Sequence, residues 1–202
     1  MARVKPKRHG IITDMTAMCD VAFLLLTFFI LTTQFKKPDV ETIKPPSSIS
    51  ETLLPDASLM TVGVTSEGKF YFQPVENGSE RLELLENMGK KYKIDFDNAE
   101  KASFQRVVSV GVPMSKMKEY LKMSKDEQKS YKSPTGIPMD STHKELIDWI
   151  EQSLAVNRKY KLAVKGDVNT KYPKVKYLFE GLRDINFLTF WLITSQEGKP
   201  NN

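Results

Sequence analysis

The chain has 202 residues, with 30 Lys and Arg against 25 Asp and Glu, a formal net charge of +5, and a single cysteine. The lysines alternate with acids and form no basic, aromatic-studded face, which leaves nucleic-acid binding unsupported, and the lone Cys19 excludes an internal disulfide or thiolate zinc site. No phosphate-binding GxxxxGK[ST], no GxGxxG and no GxSxG occurs, so the sequence indicates no enzyme class, no metal and no cofactor.

Residues 1–12, MARVKPKRHGII, are a basic tail too short to fold alone. Met15 to Thr33, MTAMCDVAFLLLTFFILTT, follows; as a helix it rises about 28 Å, close to the ~30 Å hydrocarbon core of a bilayer. Apolar side chains run all round it instead of forming the stripe of a core helix. A secretory signal peptide would share the basic start and short apolar run, but the following LTTQFKKPD has no small-x-small cleavage site. A transmembrane helix over residues 13–34 is therefore expected. Arg3, Lys5, Lys7 and Arg8 precede it without an acid, whereas Lys36 and Lys37 are diluted by Asp39 and Glu41. The positive-inside rule then leaves the N-terminus in the cytoplasm and sends the remainder across. The four early cations can also touch anionic lipid headgroups, at about 1 kcal/mol each.

Asp20 is the residue in that helix that demands a reason. An ionised Asp at a helix centre costs about 2.5 to 3.5 kcal/mol on insertion scales, and desolvation favours the neutral form, so a carboxyl there can exchange a proton. The alternative is that Asp20 lies near enough to the cytoplasmic end to stay wet, as Asp14 does at the helix start beside Thr13. Helical spacing puts Thr16, Leu24, Thr27 and Leu31 on the face of Asp20, and the hydroxyls of Thr16 and Thr27 make them candidates to line a pore.

Residues 35–58 carry Pro38, Pro45, Pro46 and Pro55 and read as an extended tether. At about 3.1 Å per residue it could reach roughly 60 Å. Residues 59–195 are expected to form one domain. LMTVGVT and FYFQ flank a Gly-containing turn and read as a hairpin, and 80–91 as a short helix with Leu82, Leu85 and Met88 inward. Residues 93–140 are the least readable: 103–112 is a strand or short helix, Pro113 can start a helix over 116–122, and the Lys-rich remainder reads as a polar insertion, a solvated loop or a partner surface. Thr142 with Glu145 has the spacing of a capping box, opening a helix whose Leu146, Ile147, Ile150 and Leu154 share one face. KLAVK reads as a strand, Pro173 opens a helix that Asn186 ends, FLTFWLIT is the last strand, and residues 196–202 are a frayed tail. The fold class is α+β: a single N-terminal membrane helix, a flexible linker and a small α/β sandwich with helices packed on one sheet.

The run DMTAMCDVAFLLLTFFILTT, Asp14 to Thr33, resembles the membrane segment of the ExbD/TolR family of biopolymer transport proteins, with Ala17 where that family usually has Pro. LAVKGD…YPKVKYLFEGLRDINF…WLIT, Leu162 to Thr194, is similar to the family's outer domain, and Leu53-Leu54-Pro55 resembles its Leu-Pro element, which makes Leu54 and Pro55 candidates for a strand added to the domain's sheet. The resemblance implies that Asp20 carries protons, the only coupling ion, for a non-enzymatic motor in the cell inner membrane, with its C-terminal domain periplasmic. It implies a pentameric ExbB/TolQ-like channel, a second ExbD-like chain, identical or paralogous, and a TonB-like protein as partners. A TolR-like role in envelope integrity, with peptidoglycan as a further partner, stays open. So does a single-pass anchor presenting a binding domain, with Asp20 a polar helix-pairing group.

Overall fold

The computed structural model describes residues 15–33, 43–48, 58–131, 133 and 135–196. Arg3, Lys5, Lys7 and Arg8, the Thr13–Asp14 helix start, Leu54 and Pro55, and the tail from residue 197 lie outside those residues. The chain divides into two units, Met1–Pro38 and Asp39–Asn202. In the first, helix α1 spans Thr16–Thr32. Its 17 residues rise about 25 Å, and among the described residues no helix is long and apolar enough to cross a membrane.

The second unit is built on a four-stranded sheet. The expected hairpin forms from β2 (Leu59–Val64) and β3 (Phe70–Gln73), which pair antiparallel with Val64 opposite Phe70 and Thr61 opposite Gln73. Gly68, at φ 77, closes the turn by donating to the Thr65 carbonyl. Strands β4 (Lys161–Gly166) and β5 (Phe190–Leu192) extend the sheet in parallel, in the order β3-β2-β4-β5. The period of two along each strand and the cross-strand register agree: Met60 faces Leu162 and Val62 faces both Phe72 and Val164, all buried. β5 is shorter than the strand expected over 187–194. A separate two-stranded sheet joins β1 (Ser47–Ser48) to β6 (Ser195–Gln196) in parallel. Part of the expected tether therefore belongs to the domain.

Helix α2 (Gly78–Tyr92) starts on Asn77, whose side chain accepts the Ser79 N–H, and buries Leu84, Leu85 and Met88. Leu82, expected inward, sits on its flank. Helix α6 (Glu145–Val156) buries Leu146, Ile147, Trp149 and Ile150, each worth roughly 1.5 to 3 kcal/mol of apolar transfer. Helix α7 (Tyr172–Asp184) has Pro173 at its start and ends in Asn186 at φ 55, where Phe187 N–H reaches back to Leu182.

The stretch 93–140 is not a solvated excursion. It folds into α3 (Asn98–Phe104), α4 (Met114–Lys122) and α5 (Lys125–Ser130). Asp97 with Glu100 and Ser124 with Glu127 form capping boxes that start α3 and α5. Phe104 stacks on Trp149, with ring centroids 6.0 Å apart, opposite Phe72 on the sheet, so the insertion completes the core. Its connecting segments also cover the outer edge of β3, through bridges from Val110 to Phe72 and from Ile137 to Phe70.

Arg81 ties this layer to α2. Buried, it donates from Nε to the Val75 carbonyl at 2.8 Å, from Nη1 to those of Gln105 and Val107 at 3.1 and 2.6 Å, and from Nη2 to that of Pro74 at 3.2 Å. Four carbonyls of two irregular segments converge on one planar cation, which a lysine cannot reproduce. Arg81→Met is expected to destabilise the protein by about 3 kcal/mol, since four carbonyls lose a charged donor in a nearly closed site. Urea unfolding measures this, and a loss below about 1 kcal/mol would show that the network contributes little.

Candidate functional site

Asp20 lies one turn beyond the start of α1. Met18, Phe23, Leu26, Phe29 and Leu31, which point in different directions round the helix, are all exposed. Thr16, Asp20, Leu24, Thr27 and Leu31 share a face, as the spacing requires. The Thr27 hydroxyl donates to the Leu24 carbonyl at 2.9 Å and that of Thr32 to the Phe28 carbonyl at 2.8 Å, so both are satisfied within the helix. Asp20 has no hydrogen-bond partner among the described residues, and Cys19 beside it is a free, exposed thiol. Among the described residues no group of His, Cys, Asp or Glu is arranged to hold a metal ion.

In the second unit, the residues just before β1 are held at the far end of β4. Asp167, which directly follows that strand, accepts the Lys44 N–H on Oδ2 and the Asn169 N–H on Oδ1, both at 2.9 Å. Val168 returns a bond from its N–H to the Lys44 carbonyl at 3.0 Å. Ile43 packs on Gly63 so closely that a Cβ there would stand 2.8 Å from Ile43 Cδ1. Together with the β1–β6 pairing this makes a clasp on residues 43–48. Backbone donors from Asn169 and Lys44 hold the Asp167 carboxyl below the usual aspartate range. Neither Asp167 nor Gly63 is singled out by the sequence reading. Two local signals were available: an acid at the end of a strand and a glycine inside one.

An open groove of this unit, about 570 Å³, is walled by Gln73, Glu76, Glu80, Asn157 and Tyr160. Glu80 is engaged inside it, accepting the Tyr160 hydroxyl on one oxygen and the Asn157 amide at 3.1 Å on the other. This raises the Tyr160 hydroxyl, mainly through burial and then through the Glu80 carboxylate.

A lone acid on an all-round apolar helix, followed by a clasped linker and an α+β domain, is matched from residue 6 to residue 197 by the family described as biopolymer transport protein ExbD/TolR. The chain belongs to the ExbD/TolR family. The matched span runs across residues 93–140. No curated protein and no solved structure matches the chain.

Because the Asp167 carboxyl is depressed, its hold on the clasp is complete above the usual aspartate range and lost as pH falls through its lower value. Asp167→Ala is expected to raise amide exchange of residues 43–48 on the order of tenfold while leaving β2 and β4 protected. Unchanged exchange at 43–48, read by mass spectrometry, would show that the carboxylate is not what holds the segment.

Proposed function

We propose that this ExbD/TolR-family protein is the inner-membrane subunit of a motor driven by the proton-motive force, with Asp20 as its proton carrier. The observation that carries the reading is the single carboxylate on α1, a helix whose other side chains are apolar apart from three threonines, in a chain matched by the family over nearly its whole length. An apolar surface of that kind needs lipid or protein around it. The N-terminal tail lies in the cytoplasm and the second unit in the periplasm, the orientation that Arg3, Lys5, Lys7 and Arg8 favour.

The physical step is a change in what Asp20 can face. Neutral, its carboxyl tolerates an apolar wall; ionised, it must turn to water or a donor. The cost of burying the charge, about 2.5 to 3.5 kcal/mol, is comparable with the ~2.3 kcal/mol per charge that 100 mV of membrane potential supplies. Proton entry and release can thus bias rotation or rocking of α1 inside a ring of ExbB/TolQ-like subunits, alongside a second ExbD-like chain. The folded head then passes the motion to a TonB-like partner that energises outer-membrane transport. The protein needs no enzymatic chemistry and no cofactor beyond the proton.

Asp20→Asn keeps the size and removes the titration. Energy-dependent uptake should fall to the level of uncoupled cells, with assembly in the membrane unchanged, while Asp20→Glu retains part of the activity. Normal uptake with a detergent-sensitive envelope would move the protein to the TolR branch. Wild-type uptake together with a wild-type envelope would end the motor reading.

A further inference from the structure

Glu145 opens α6, yet its carboxylate does not cap that helix. Oε1 accepts the backbone N–H of Met114, the first residue of α4, at 2.8 Å from a position 31 residues away. Pro113, the N-cap of α4, has no side-chain cap to offer, so Glu145 satisfies this N–H in its place. Water has little access, since Met114 is 1 % exposed and Glu145 8 %. The expected capping box with Thr142 is absent because the Thr142 and His143 amides both turn to Asp140 Oδ1, at 2.7 Å. One turn further along α6, the indole N–H of Trp149 is buried and has no acceptor at hydrogen-bonding geometry.

The charges around this joint come from several elements. Asp148 lies one turn along α6, where Tyr92 and Lys91 of α2 bind it at 2.6 and 2.7 Å, and Tyr92 itself senses the Glu145 charge. His143 is on the preceding loop, and Lys144 is turned away to Asp184. Burial pushes the Glu145 carboxyl up to about 7; the Met114 N–H, the Trp149 indole and His143 act against the rise, and Asp148 adds to it.

We propose that Glu145 is a proton-operated latch on the joint between α4 and α6, which keeps the helical layer of residues 98–130 closed when neutral and loosens it when ionised. In the closed joint the carboxyl binds its proton more tightly than it does in water. Closure therefore takes up a proton between the ordinary glutamate range and neutrality, and acid favours the closed form. As pH rises through 7, closure holds a dry carboxylate and opening releases it to solvent. The latch does not depend on Asp20. On the orientation proposed above it would face the proton-rich side of an energised membrane.

Amide hydrogen exchange on the full chain in lipid nanodiscs, corrected for intrinsic rates, tests this. Between about pH 5.5 and about pH 8, peptides covering α4 should lose about tenfold protection in the wild type while α2 peptides hold theirs. Glu145→Gln should flatten the response of α4, and His143→Ala should leave it in place. Four results overturn the latch: a flat wild-type response, a response that persists in Glu145→Gln, one that vanishes in His143→Ala, or a loss shared equally by α2, which is global unfolding. Should Glu145→Gln fail to fold, the wild type and His143→Ala still decide, because a response that vanishes with the imidazole assigns the titration to His143.

Discussion

A backbone polar group taken out of water must find a partner, and the second unit depends on how that requirement is met away from its regular ladders. The core is completed by residues 93–140, whose helices are short and whose connecting segments are buried at Val107, Val110, Val112, Ile137 and Met139. Burying irregular backbone is costly unless each carbonyl and amide is bound. Arg81 takes the carbonyls of Gln105 and Val107, the outer edge of β3 takes Val110 and Ile137, and Glu145 takes the first amide of α4. Each of these partners belongs to an element outside the stretch. The layer is therefore held by polar contacts at its joints as well as by Phe104 and its apolar neighbours.

That arrangement explains which parts of the fold were legible in the sequence. The hairpin, α6, β4 and α7 carry their own signals: alternation around a glycine turn, an apolar face repeating every three to four residues, a proline at a helix start. Strand β5 is shortened because only Phe190 to Leu192 pair with β4. The 93–140 stretch hides its order because the partners that make burial tolerable lie far away in sequence. Two of its helix starts were nonetheless written locally, as Asp97 with Glu100 and Ser124 with Glu127. The same pattern at Thr142 and Glu145 misleads, since Asp140 competes for the nearby amides and Met114 for the carboxylate. Spacing identifies residues that can cap a helix; it does not say which helix.

The candidate site divides in the same way. The acid on α1 is visible from composition alone, because a carboxylate among Phe, Leu and Ile needs no partner in the sequence to stand out. The clasp on residues 43–48 is invisible from composition, since Lys44 contributes only its backbone and Ile43 only its packing on Gly63. Its effect on the tether is direct. The tether expected over residues 35–58 is held at residues 43–48, so a pull arriving along the chain reaches Asp167 and Gly63 before it reaches Leu59, where the chain enters β2.

Three acids in this chain meet one requirement, a donor for each carboxylate, in different ways. Asp167 sits at the surface with two backbone N–H groups, so its charged form is favoured. Glu145 has one such donor but little water, and the neutral form gains. Asp20 has no donor among the described residues, and its helix cannot provide one, because the backbone N–H groups of a helix interior are already bound to carbonyls four residues back. Donors for the first two come from the fold itself. For Asp20 the donor, water or wall has to come from whatever surrounds the helix, which is where its side chain differs from the other two.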